Sequence, residues 1–550
     1  MLKTGKVLLA IAASFSLVLS GCGFQANSGS NMKLSDEQVL RIAEEGGITT
    51  LDTVKANDAI TFNVLNNVNE GLMRLGREKQ PEYGIAYEYE LSPDKTKYTF
   101  KLREDAKWSD GEPVTAQDFE YAWKRVLNPQ TDSGYAYVFF PIKNAKQYNQ
   151  GQVDASAVGI KAVEDDHTLE VQLEKPTLNF IQRTTMIAFM PQRKDVVEKF
   201  GGKYGTSAEE TIYNGPFKVA SWTPQKVLLK KNENYWDKNG VKLETVEINV
   251  VKDLATGINL YNSGEIDTAT LNQAFVDAFK NTEEYVEAER ARNYYILFNH
   301  DDPFFKNEKI RKAINLAIDR GTIANDIMKG GSKPADALIP SSISGVGGKN
   351  FRELSGSYVK TDVARAQALF QEGLTELGMS EPPKDIVMVS YDATPLRDVA
   401  INIKEQLRKK LNLEIKLDSP TWKTHVNKVK NRNFDMAMLG WVADYNDPFN
   451  FFEIWESDNE MNFSHYNNPK FDQLMDQARQ TSDPKAQFEL LKQAEALLTG
   501  VDDQGSAGFV PLIYYSKAFV QKSYVKDLYR HPFGPEYSLK WAYIVEKNEE

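Results

Sequence analysis

Alternating apolar and polar positions mark the strands of this chain before any motif does. Tyr98-Thr99-Phe100-Lys101-Leu102-Arg103 repeats at period two, and so do Leu169, Val171 and Leu173, as half-buried strands should. Val39-Leu40-Arg41-Ile42-Ala43 reads as the first strand, and Ile48-Thr49-Thr50-Leu51-Asp52 as a second extended stretch after a short turn. Helical periods stand between them. Thr115 followed by Asp118 predicts a capped helix start, Phe119, Ala122, Trp123 and Val126 form its apolar stripe, and Pro129 stops it. Ile310, Ala313, Ile314, Ala317 and Ile318 share one face of a later helix. Ala400, Ile403, Leu407 and Leu411 share another, which runs into a predicted strand at Leu413-Glu414-Ile415-Lys416-Leu417. Strands and helices alternate from Gln38 onward without a fixed-period repeat, so the pattern predicts a mixed α/β architecture. No Pro/Gly/Ser-rich gap follows Ser30, which points to domains assembled from distant segments.

Length turns that pattern into several domains, because 550 residues exceed the ~100–150 residues typical of one core. Hydrophobic residues at 41% and charged residues at 26% exclude a disordered polyelectrolyte and a polytopic membrane protein. The net charge of −11, with no clustered run of Lys and Arg, argues against nucleic acid as a partner.

The N-terminus carries an address. Lys3 and Lys6 precede an apolar run from Val7 to Leu19, too short and wrongly flanked for a spanning helix. Leu19-Ser20-Gly21-Cys22 then looks like a bacterial lipobox, and Cys22 is the sole thiol of the chain. Residues 1–21 are therefore expected to be a signal peptide and 22–36 a lipidated tether, with diacylated Cys22 holding the protein on the outer face of a membrane. Disulfides, thiolate metal sites and cysteine nucleophiles drop out with every other cysteine.

Catalytic patterns are mostly negative. Gly-x-Gly-x-x-Gly, the Walker A loop, Gly-x-Ser-x-Gly and His-Glu-x-x-His do not occur. The histidines, His167, His300, His425, His465 and His531, show no ligand spacing, and acidic pairs such as Asp301-Asp302 read as solvated turn caps. No catalytic residue, metal site or cofactor is expected.

Two segments carry chemistry of another kind. Leu91-Ser92-Pro93-Asp94, Tyr98 to Arg103, and Ala106 to Phe119 with Trp123 resemble the signature of family 5 extracellular solute-binding proteins, the peptide receptors of ABC importers. Phe434 to Pro448 is similar to the ligand-binding strand and turn of the oligopeptide branch, and Asn214-Gly215-Pro216-Phe217, Asn234-Tyr235-Trp236, Ser263 to Asp267 and Val510-Pro511-Leu512 extend the likeness along the mature chain. That resemblance implies a two-lobed, periplasmic-binding-protein-like α/β fold of type II, cluster C, with an extra domain packed on the first lobe. Its anatomy assigns 37–58, 184–292 and 515–550 to lobe I, 59–183 to the additional domain and 293–514 to the opposing lobe. Closure about a hinge near Asn293 and Tyr515 would swallow the ligand.

By the same resemblance Asp444 anchors a peptide's ammonium. A fixed carboxylate in a desolvated cleft makes that charge-assisted bond strongest, although an acidic residue before Tyr445-Asn446-Asp447-Pro448 also serves to cap the turn. Ile48-Thr49 and Leu439-Gly440-Trp441-Val442 are implied as strand edges for the ligand backbone, with Tyr445, Trp422, Tyr295 and Tyr135 as further ligand-binding residues. Trp108 and the Asp110-Gly111 turn read as fold determinants. Two departures from well-known members stand out: Met438 replaces an arginine that helps to hold a peptide's C-terminus, and Gly47 replaces an acidic residue. Lys329, Arg397 and Lys430 are the basic candidates left for that carboxylate. The expected partners are oligopeptides, permease subunits of an ABC transporter and, through the anchor, the membrane of a bacterial cell surface, with the protein as a monomer. Within the family the ligand is alternatively a signalling peptide, a dipeptide, a murein peptide or a metal chelate; a secreted hydrolase and a structural adhesin are the rivals from other classes.

Overall fold

The computed structural model describes residues 33–163, 166–393 and 395–547. Two long antiparallel strands, Tyr285–Phe298 and Phe509–Gln521, form the spine of an eleven-stranded sheet. Thr268–Thr270, Val39–Glu44, Thr245–Val250, Lys226–Lys231 and Phe217–Trp222 extend it on one side. Met436–Val442, Val387–Val389 and Lys416–Asp418 extend it on the other, and Lys333–Pro334 pairs with the second spine strand as the eleventh. The two halves have separate hydrophobic cores, one around Leu40, Phe217 and Val246 and the other around Phe298, Ile314 and Met436. Both spine strands cross between them, and their pairing slips twice, between Glu289 and Asn293 and between Tyr294 and Tyr295. A slipped register bends and twists a strand pair, so the two lobes meet where the ladder is least regular.

A four-stranded antiparallel sheet, Ala86–Leu91, Lys97–Leu102, Thr168–Gln172 and Ile160–Ala162, has a core of its own. Tyr98, Phe100 and Leu102 face inward in strict alternation. The helix Ala116–Leu127 packs there with Phe119, Ala122, Trp123 and Val126 fully buried, and Thr115 and Asp118 close its capping box. Asp118 also accepts from Trp108 Nε1 at 3.2 Å, which ties the Asp110-Gly111 turn to the helix start.

Three local expectations need correction. Ile48–Asp52 is not a strand: Leu51 N–H donates to Gly205, Thr49 N–H donates to the Thr61 hydroxyl at 2.9 Å, and the segment pairs with no strand among the described residues. The strand expected from Leu413 begins only at Lys416, because Asn412 ends the helix Leu396–Leu411 in a left-handed turn. The helix expected through Ile318 stops at Ala317.

Candidate functional site

Met436–Val442 pairs with Phe298–Arg292 along its whole length on one edge, but on the other edge only Met436 and Ala437 find a partner strand. Antiparallel pairing alternates, and Ala443 N–H donates to Ala291 O, so Leu439 and Trp441 turn their backbone groups toward the spine. Met438, Gly440 and Val442 therefore turn theirs toward the open edge. Part of that edge is already used: the Met438 carbonyl is hydrogen bonded to His425 Nε2 at 3.0 Å, and the Gly440 N–H reaches the Tyr391 hydroxyl. The Gly440 carbonyl and both polar groups of Val442 have no partner among the described residues. A glycine is needed here, since a Cβ at 440 would lie 2.8 Å from the Tyr294 ring.

One cavity opens directly on this edge and a second, larger space lies nearby, reached through Tyr515, whose ring stands 5.9 Å from that of Tyr294. On the Leu439 and Trp441 face a cavity of about 260 Å³ is lined by Tyr295, Trp422, Trp441 and Trp455. Trp422 is 61% exposed and stacks on Tyr391 at 5.4 Å, forming a wall above it, whereas Tyr295 is buried in the floor. A larger space of about 910 Å³ lies between the lobes, with Glu44, Ile60 and Asn63 on one side, Asp326 and Asp398 on the other, and Tyr515 at the crossing of the spine.

At the end of the open edge stands Asp444. The Tyr137 hydroxyl donates to its Oδ2 at 3.3 Å across the gap between lobes, Tyr135 adds a second hydroxyl, and its N–H donates to Asn450 Oδ1 at 3.3 Å. Asn450 accepts from Trp441 Nε1 as well, at 3.1 Å, so the strand and the turn share one brace. No Lys or Arg nitrogen lies within ion-pair distance of the Asp444 carboxylate among the described residues. Burial pushes that carboxyl up to about 6, against the opposing pull of the Tyr137, Asn450 and Tyr135 hydrogen bonds and of the more distant Arg183. Because the folded value is raised, ionisation of Asp444 opposes folding as pH rises from about 4 through 6. A ligand cation has the reverse preference and needs the ionised form. Affinity for an ammonium ligand should therefore fall about tenfold per pH unit below 6, which titration at pH 7.5, 5.5 and 4.5 measures. Asp447, which burial also pushes up to about 6 against the pull of the Phe449 N–H and of Arg183, titrates in the same range, so a profile that persists without Asp444 would assign the effect elsewhere.

Other residues expected at the site lie differently. Tyr445 is 1% exposed and packs with the core of the four-stranded sheet, under the Arg183 guanidinium at 4.9 Å, so its ring joins the lobes and does not face the cleft. Ile48 is likewise core, and Thr49 is exposed. The backbone of Gly47 and Ile48 makes no hydrogen bond among the described residues, which leaves an open edge there without a strand. Tyr135 is half-buried against Phe62 and stacked with Tyr137. Met438 points into the core, so nothing at that position offers a cation. Lys329 pairs with Asp277 and Arg397 with Asp392, while Lys430 is exposed at the rim of the smaller cavity. Cys22 lies outside the described residues. Sequence reasoning did not single out Tyr137, Asn450, Tyr391 or Arg183. Tyr137 carried a usable signal, two residues from Tyr135 in the same segment; the others are set by tertiary contacts alone. Among the described residues no group of His, Cys, Asp and Glu is arranged to hold a metal ion, and no helix is long and apolar enough to cross a membrane.

Comparison with known proteins agrees with this architecture. The profile of "Bacterial extracellular solute-binding proteins, family 5 Middle" matches residues 80–463. The dipeptide-binding protein DppE of Bacillus subtilis is 33% identical over 97% of this chain and 98% of its own. The oligopeptide-binding protein OppA of the same organism is 32% identical over 95% and 96%. Listeria monocytogenes OppA bound to peptide superposes with a TM-score of 0.77 at 36% identity, over 93% of this chain and all of that one.

Proposed function

The chain belongs to the bacterial extracellular solute-binding proteins of family 5, and from that premise we propose that it is an extracytoplasmic receptor that encloses peptides between its lobes and delivers them to an ABC permease. Binding, not turnover, is the activity assigned. The observation that carries the reading is Asp444, a half-buried carboxylate with two tyrosine hydroxyls and no cation, placed where an open strand edge ends. A peptide's ammonium supplies the missing charge, and its backbone pairs with the Gly440 carbonyl and Val442. Side chains then reach the two cavities, whose aromatic and open linings tolerate varied residues. We take 37–58, 184–292 and 515–550 as one lobe, 59–183 as its added domain and 293–514 as the other lobe, hinged where the spine strands slip register. Contacts from Asn446 Nδ2 to the Lys79 carbonyl at 2.7 Å and from Tyr137 to Asp444 then belong to the closed form that the permease reads.

Leu19-Ser20-Gly21-Cys22 supports lipid anchoring on the outer face of the membrane as part of the same proposal. Mass spectrometry of protein purified in detergent tests both halves. Short peptides with free amino termini should be released on denaturation, and the N-terminal fragment should begin at Cys22 with acyl chains attached. Release of a non-peptide ligand would overturn the peptide assignment, and an unmodified Cys22 the anchor.

A further inference from the structure

Beside the interlobe space stands a guanidinium with no counter-ion among the described residues. Arg292 lies on the spine strand opposite Val442, on the sheet face shared by Tyr294 and Gly440. It stacks on Tyr294 at 4.4 Å and lies 5.7 Å from Tyr515, which lines the larger interlobe cavity. Its Nε is fully buried without a hydrogen bond, and no ion pair or hydrogen bond to the rest of the group occurs among the described residues. Its terminal nitrogens are not sealed from solvent in that way, so the base is fixed and the tip is open. Other cations around this space are committed: Lys517 to Glu536 at 2.8 Å, Lys329 to Asp277, and Arg290 to the carbonyls of His531 and Gly534. A planar guanidinium packed against two aromatic rings loses little freedom on pairing and presents its donors as a fork.

We propose that Arg292 binds a carboxylate of the ligand, on the Gly440 and Val442 face of the open edge. This deepens the peptide-receptor reading and rests on it. Because Arg292 stands opposite Val442 and its tip lies over Tyr294, opposite Gly440, the tip is about two to four strand positions from the ammonium anchor at Asp444. That carboxylate is either the C-terminus of a di- or tripeptide or an acidic side chain near the amino end. The site would replace the cation that Met438 does not offer. It also stands apart from the neighbouring interlobe cavity, whose Glu44, Glu45, Asp253, Asp326 and Asp398 outnumber its Lys329 and Lys517.

Calorimetric titration of the wild type, R292Q and R292K separates the two sources. One arm compares tri-alanine as free acid and as C-terminal amide; the other compares Ala-Glu-Ala-amide with Ala-Gln-Ala-amide. The wild type should favour the acid in at least one arm by about 10- to 100-fold. R292Q should lose that preference while still binding the amides as the wild type does, and R292K should recover part of it. A wild type indifferent in both arms, a preference that survives in R292Q, or tighter binding of every peptide by R292Q would overturn the proposal. Failure of the wild type to bind any of the four peptides would instead sink the receptor reading beneath it, and the proposal with it.

Discussion

Replacing Asp444 with alanine should weaken binding of a free-amine peptide by about 2–5 kcal/mol, the loss expected when one member of a buried, hydrogen-bonded charge pair is removed. The empty protein already bears the cost of that carboxylate: it is half-buried, faces Tyr135 and Tyr137, and has no cation beside it. Ligand relieves the cost, so most of the effect belongs to binding and little to folding. Thermal unfolding of D444A without ligand should stay within about 2 °C of the wild type at pH 7.5. A large loss of stability with unaltered affinity would make Asp444 a turn cap and nothing more.

Glu495 should behave in the opposite way. It is completely buried, and its Oε1 accepts from the N–H groups of Leu338 and Ile339 at 3.0 and 2.8 Å. Arg352 donates to both oxygens, at 2.8 and 2.6 Å, and Ser355 donates to Oε2 at 2.8 Å. Truncation to alanine strands a nearly buried guanidinium and two backbone donors together, which should cost about 3–5 kcal/mol in urea unfolding. E495Q keeps an acceptor and should lose less. The loop it holds also receives Asn293 Nδ2 on the Leu338 carbonyl at 2.7 Å, so loosening extends to a spine strand at the slipped register. Wild-type stability in E495A would mean that water replaces the carboxylate, against its full burial.

Both variants mark what the sequence could and could not reveal. Periodicity located the strand Lys97–Leu102 and the helix Ala116–Leu127 with its cap, because those signals are local and the burial pattern repeats them. It overextended Ile48–Asp52 into a strand, since a strand exists only where a neighbour offers a ladder. At the site, Gly440-Trp441 and Asp444 were legible from the family's motif, and the open edge that gives Gly440 and Val442 their meaning came from topology. Tyr445 looked like a site residue because it is aromatic and adjacent, but the turn after Asp444 rotates it into a different core. Arg292 was invisible for the converse reason: in Ala291-Arg292-Asn293 it reads as an ordinary polar strand position, and only the missing counter-ion distinguishes it.

Whether Asp444 holds a peptide's ammonium is decided by a two-by-two titration: wild type and D444A, each with one peptide carrying a free or an acetylated amine. Acetylation should weaken binding to the wild type by about as much as the mutation does, roughly 2–5 kcal/mol, and cost D444A almost nothing further. Independent, additive losses from acetylation and from D444A would contradict the account and place the ammonium at another anchor.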